Sequence, residues 1–198
     1  ESVPYIENGY EYRSAYKEGN EYPIHSRKNL ATGEEEVFLD ENALADGKEY
    51  FVIGDFDISP DNRYLAYSYD TAGDERYQVK VQDLQTGKYL EDVLNDVQGD
   101  LLFSKDGKSL VYALLEKERW HAKHIKVHTI GEDQTKDETL YEEKDEGFFI
   151  GFGLTSDKEY FMVISSQGEV QESYVAPADF STPLVQLVSR DAGFTQDI

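Results

Sequence analysis

The chain has 198 residues, 39% of them hydrophobic, and a formal charge of −22 from 41 Asp+Glu against 19 Lys+Arg. That apolar content supports a folded core in one or two domains, while the negative field disfavours nucleic acid and anionic membrane and favours a short basic peptide as partner. The absence of Cys excludes disulfides and thiolate metal sites and fits a reducing, cytoplasmic setting, and no apolar run approaches the roughly 20 residues that span a bilayer.

Fifteen Tyr and ten Phe favour strands, where aromatic rings pack on a pleated surface. In chain order, residues 3–6 read as a strand, Asn8-Gly9 as a turn, Tyr10 as the opening of a second strand and residues 22–27 as a third, before the turn Leu30-Ala31-Thr32-Gly33. A second unit reads 54–58, the turn Ser59-Pro60-Asp61-Asn62, 64–70, 77–84, the turn Gln85-Thr86-Gly87-Lys88 and a strand to about 94. The third repeats the plan at 100–103, 109–115, 124–130 and 138–142, and the fourth at 148–154, 160–165, 172–175 and 183–188. Asp and Asn bond their own backbone in such turns and Gly accepts positive φ.

One phrase marks the units: SPDNRYLAY from Ser59, SKDGKSLVY from Ser104 and TSDKEYFMV from Thr155, at intervals of 45 and 51 residues. Repeats of about 40–50 residues indicate propellers or solenoids. The expected fold is all-β, a partial β-propeller of about four four-stranded antiparallel blades at residues 3–41, 51–94, 97–143 and 146–190. Residues 191–198 read as the start of a further blade, and the first residue is Glu rather than Met, so a piece of a larger ring is expected. An all-β sandwich with irregular hairpins is the alternative.

Several segments carry a resemblance. Val3-Pro4-Tyr5, Asn8-Gly9-Tyr10-Glu11-Tyr12, Glu21-Tyr22-Pro23-Ile24, the run Asp70 to Tyr77 (DTAGDERY), Asp83-Leu84-Gln85-Thr86-Gly87 and Leu140 to Asp145 (LYEEKD) resemble the N-terminal propeller of the oligopeptidase B branch of the prolyl oligopeptidase family of serine peptidases. The resemblance implies a seven-bladed propeller capping a C-terminal α/β-hydrolase domain of the same parent chain, and cleavage of short peptides after Lys or Arg. It further implies a propeller that restricts access to small, unstructured substrates. Lys126-Val127 stands before His128 where the family often has a Trp-Arg pair, so any contact made by that pair is not carried over.

The chemistry of such an enzyme needs a nucleophile on a G-x-S-x-G elbow, and no such pattern occurs here. No catalytic residue is assigned, and this polypeptide alone is expected to be inactive; a stand-alone propeller-like module that binds a basic peptide is the alternative function. His121, His124 and His128 have helical metal spacing. On a strand, however, residues four apart lie about 13 Å from one another, beyond ligands at about 2 Å from one ion. They are read as surface or partly packed. Asp55, Asp57 and Asp61 lack the Gly and distal Glu of a calcium loop. No metal or cofactor is assigned. Gly151-Phe152-Gly153 reads as a crowded inner strand.

Loop length separates two faces. Turns between strands one and two, or three and four, are short; those between two and three, at 70–76, 116–123 and 166–172, are longer and charged. Long specialised loops mark a functional face, so this face is expected to meet the hydrolase domain and substrate, with Glu75 and Arg76 as the contact residues. Exposed sheet flanks are expected to promote homo-oligomers through their edges.

Overall fold

The computed structural model describes residues 2–118 and 120–192. Its three hydroxyl-x-Asp phrases fold into one hydrogen-bonded turn, repeated. The hydroxyls of Ser59, Ser104 and Thr155 donate to Oδ1 of Asp61, Asp106 and Asp157 at 2.6, 2.7 and 2.5 Å. The same carboxylates accept the N–H of Arg63, Lys108 and Glu159. The hydroxyl oxygens in turn accept the N–H of Tyr64, Ser109 and Tyr160, where the next strand begins. The fourth position is left-handed in all three, at Asn62 (φ +62°), Gly107 (φ +69°) and Lys158 (φ +59°).

Strands β1 (Tyr5–Glu7), β2 (Tyr10–Ala15), β3 (Ile24–Asn29) and β4 (Glu35–Asp40) form an antiparallel sheet in chain order. A short helix α1 (Glu41–Ala45) follows, capped by the Asp40 carboxylate on the N–H of Asn42 and Ala43. Next, β5 (Val52–Ile58), β6 (Tyr64–Asp70), β7 (Tyr77–Asp83), β8 (Lys88–Phe103), β9 (Ser109–Leu114), β10 (His124–Thr129) and β11 (Glu138–Glu142) make a seven-stranded sheet, again in chain order. The last sheet holds β12 (Phe149–Leu154), β13 (Tyr160–Gln167), β14 (Val170–Pro177) and β15 (Val185–Val188).

The seven-stranded sheet arises because β8 serves two neighbours. Its first part pairs with β7 from Asp83↔Lys88 to Tyr77↔Val97, and its end pairs with β9 from Leu101↔Tyr112 to Phe103↔Leu110. Asp96 (φ +57°) lies where the register with β7 shifts, and Gly99 (φ +133°) where the register with β9 shifts. Turn-forming residues here bend a strand without ending it. The second and third units therefore run together through β8 instead of standing as separate four-stranded sheets.

Three successive cores link the units. Tyr12, Phe38 and Leu39 pack with Leu65, Tyr67 and Tyr69; Ala66, Val79 and Val81 pack with Leu101, Phe103 and Leu110; Val111, Ala113 and Ile125 pack with Ile150, Phe161 and Val163. Strand alternation supplies apolar side chains to the facing sides of neighbouring units, so each pair of successive units shares a core. Side chains also join neighbouring inner strands. Asp55 Oδ2 accepts the N–H of Leu101 at 3.2 Å and Asp57 Oδ2 that of Phe103 at 2.7 Å. Burial pushes the Asp57 carboxyl up to about 6, against the backbone N–H groups of Phe103 and Ile58, which favour its anion.

Two expectations are corrected. Added Cβ atoms at Gly151 and Gly153 would meet nothing within 4 Å, so that strand is not crowded among the described residues. The crowded glycine is Gly54, where a Cβ would lie 2.7 Å from both Ser68 Oγ and the Tyr77 ring. Residues 166–172 are not a long loop: Gln167 pairs with Val170 across a two-residue hairpin turn, with Gly168 at φ +59°. The start of a further blade, read at residues 191–198, falls for 193–198 outside the described residues; Asp191 and Ala192 lie in a 3-10 turn (Arg190–Ala192).

Candidate functional site

In an up-and-down sheet, connections between strands two and three share an end with those leading to the next unit. Contacts between these connections make one continuous belt. Arg76, before β7, donates from both terminal guanidinium nitrogens to the Glu116 carbonyl after β9, at 3.2 and 3.1 Å. Gln98 accepts the N–H of Ala122 at 2.7 Å. The His121 ring lies 4.7 Å from that of Phe149, and Glu143 N–H donates to the Lys123 carbonyl.

Glu75 and Arg76 take different places in this belt. Asp70 is buried, and its carboxylate accepts the N–H of Ala72, Gly73 and Glu75. This holds Glu75 at φ +59°, a strained conformation for a residue with a side chain. Glu75 is exposed, whereas the Arg76 guanidinium turns back to Asp96, with Nε 2.9 Å from Oδ1. Arg76 thus clamps the start of β7 to the bend of β8 and to the loop after β9.

Between these residues and that loop opens a cleft of about 500 Å³ lined by Gly73, Asp74, Glu75, Arg76, Leu115, Lys117, Glu118 and Trp120. Leu115 is buried, and Trp120 is 92% exposed. Sequence reasoning did not single out Trp120, although a lone tryptophan in a charged loop was the available signal.

The four histidines take separate partners. His121 meets Phe149, His124 Nε2 lies 3.9 Å from Glu142, and His25 is bonded to Glu41 and Ser14 at 2.7 and 2.8 Å. His25 and His128 are buried, which corrects the surface or partly packed reading for His128. His128 Nδ1 is 2.8 Å from Asp137 and Nε2 is 3.3 Å from Asp92. Burial lowers its pKa, but the hydrogen bond and charge of Asp137, with those of Asp92, outweigh burial and raise it.

A second acidic group closes the other end of the belt. Arg190 donates to Glu143 and Glu172 at 2.5 and 2.6 Å, with its guanidinium 3.8 Å from the centre of the Phe148 ring. Tyr141 donates to the same two carboxylates.

Residues 1–196 match the family described as prolyl oligopeptidase, N-terminal beta-propeller domain. Dipeptidyl aminopeptidase BI of Pseudoxanthomonas mexicana is 33% identical over 193 residues, which cover 89% of this chain and 27% of that protein. Protease 2 of Moraxella lacunata is 28% identical, over 99% of this chain and 30% of its own length. The chain therefore spans less than a third of either relative. Oligopeptidase B from Leishmania major superposes with a TM-score of 0.88 at 23% identity, covering 94% of this chain and 27% of that one. Oligopeptidase B from Trypanosoma brucei, with covalently bound antipain in a closed form, gives 0.85 at 26% identity over 95% of this chain and 27% of its own.

Proposed function

Since the chain belongs to the prolyl oligopeptidase family through its N-terminal β-propeller domain, we propose that it is the non-catalytic, substrate-filtering part of a cytoplasmic serine oligopeptidase that cleaves short peptides after Lys or Arg. The observation that carries this reading is the match over residues 1–196 to a propeller domain, in relatives more than three times as long as the matched segment. A catalytic domain C-terminal to the propeller is the partner this reading requires, and the belt of long loops is the face we assign to it.

The split between Glu75 and Arg76 gives them different parts in the proposal. Arg76 keeps the loops in register through Asp96 and the Glu116 carbonyl. Glu75, exposed beside it, is the residue offered to the partner domain or substrate. The excess of carboxylates over Lys+Arg favours cationic peptides. Self-association through apolar residues exposed on the outer sheets, such as Ile6, Val185 and Leu187, belongs to the same proposal.

The test is specificity. The whole peptidase that carries this chain should cleave short fluorogenic peptides after Arg and Lys at least 100-fold more efficiently, in kcat/KM, than after Pro or neutral residues, about 2.7 kcal/mol of discrimination. A preference for Pro, or for none of these, would reject the Lys/Arg assignment.

A further inference from the structure

Trp120 is the chain's one tryptophan and stands almost wholly in water at the cleft beside Arg76. Aromatic side chains of this size carry most of their worth when buried against something. The cleft is shaped for a small guest. Leu115 is its buried apolar lining, and the wall opposite the Trp120 loop is held by Arg76 on Asp96 and by the Asp70 carboxylate on three backbone N–H groups. Rigid walls reduce the ordering cost of binding.

Charge selects the guest. Among the described residues that line the cleft, Asp74, Glu75 and Glu118 are exposed, opposed by one exposed ammonium, that of Lys117, because Arg76 is already matched by Asp96. Neither Glu75 nor Glu118 makes an ion pair with another described side chain. An indole face beside carboxylates suits a cation, whose charge meets the ring quadrupole and whose stem covers the apolar surface. Phosphates and acidic peptides would face the wrong field.

We infer that the cleft between Glu75 and Trp120 is a subsite for the Lys or Arg side chain of a short peptide, with the Trp120 ring against the cation and Glu75 and Glu118 neutralising it. This rests on the proposal that the loop belt faces substrate, and adds to it the residues and chemistry of recognition.

The single tryptophan supplies the readout. The 198-residue chain is titrated with the tripeptide Gly-Arg-Gly, and with Gly-Glu-Gly and Gly-norleucine-Gly, while Trp120 emission is followed. Gly-Arg-Gly should give a saturable change, Gly-norleucine-Gly should bind about tenfold more weakly, and Gly-Glu-Gly should give none. The double variant Glu75→Gln, Glu118→Gln should weaken Gly-Arg-Gly about tenfold at low salt, with a smaller difference at high salt. By calorimetry, Trp120→Ala should weaken it about fivefold, the value of about 1 kcal/mol for an exposed cation–π contact. Equal responses to the three peptides, no saturable change, or unchanged affinity in the double variant would overturn the assignment. No catalytic domain takes part, so an unexpected cleavage specificity of the whole peptidase would leave this result standing, and the reverse also holds.

Discussion

Replacing His128 with alanine is expected to destabilise the fold by about 3–5 kcal/mol, the cost typical of removing one partner from a buried charged group. The imidazole has no exposed surface and stands between the buried side chains of Asp92 on β8 and Asp137 just before β11. Asp137 also accepts from the Tyr112 hydroxyl at 2.8 Å, and Asp92 accepts the N–H of Gly131 at 2.6 Å. Without the ring, two carboxylates face a cavity that no cation fills. Chemical denaturation at pH 7 measures the loss, and a change below 1 kcal/mol would show that the carboxylates find other partners. Neutralising them in the same background, with Asp92→Asn and Asp137→Asn, should recover part of it.

The pH dependence follows from the sign of the shift. His128 has its pKa raised in the folded state. Its contribution is therefore complete below the unfolded value of about 6.5 and is lost as pH rises through the folded value. The groups facing it are Asp92 and Asp137, with Asp133 nearby and Tyr112 behind Asp137. Wild-type stability should fall on the alkaline side more steeply than that of His128→Ala.

Arg190→Ala is the second large effect, at about 3 kcal/mol, reduced from the fully buried case because the arginine side chain is partly exposed. Its guanidinium holds Glu143 and Glu172 together, and both carboxylates are buried at the join between the seven-stranded sheet and the last one. Burial would raise the Glu143 pKa. The Arg190 hydrogen bond, with those from Ser165, the Asp145 backbone and Tyr141, lowers it to about 2. A depressed carboxylate stabilises above its unfolded pKa, and that stability is lost as pH falls through about 2. In Arg190→Ala the acid unfolding transition should move to higher pH, as followed by tyrosine fluorescence or circular dichroism. An unchanged acid limb would show that Ser165 and Tyr141 suffice.

Much of the fold was legible because two local rules agree: alternation sets the strands, and Asp, Asn and Gly set the turns. Strand β6 spans residues 64–70 and β11 spans 138–142, the ranges read from the sequence. What escaped was either short or non-local. Helix α1 is five residues long and depends on its Asp40 cap. β8 was divided because Asp96 and Gly99 have turn chemistry, and only pairing to β7 and β9 shows that the chain continues through them. His128 looked like a strand surface residue because Asp92, 36 residues away, is visible only after folding. At the candidate site, loop length singled out Glu75 and Arg76, but only the distant Glu116 carbonyl shows how Arg76 is held, and the cleft beside Trp120 is formed by two loops far apart in sequence.

Peptidase activity with and without the remainder of the enzyme tests the central claim most directly. The 198-residue chain should give no hydrolysis of an Arg-containing fluorogenic peptide above the uncatalysed rate, while the same propeller joined to its C-terminal catalytic domain should turn the peptide over and leave a folded protein of the same sequence content intact. Serine-dependent cleavage by the 198 residues alone, or equal cleavage of the short peptide and the folded protein by the whole enzyme, would contradict a non-catalytic filter.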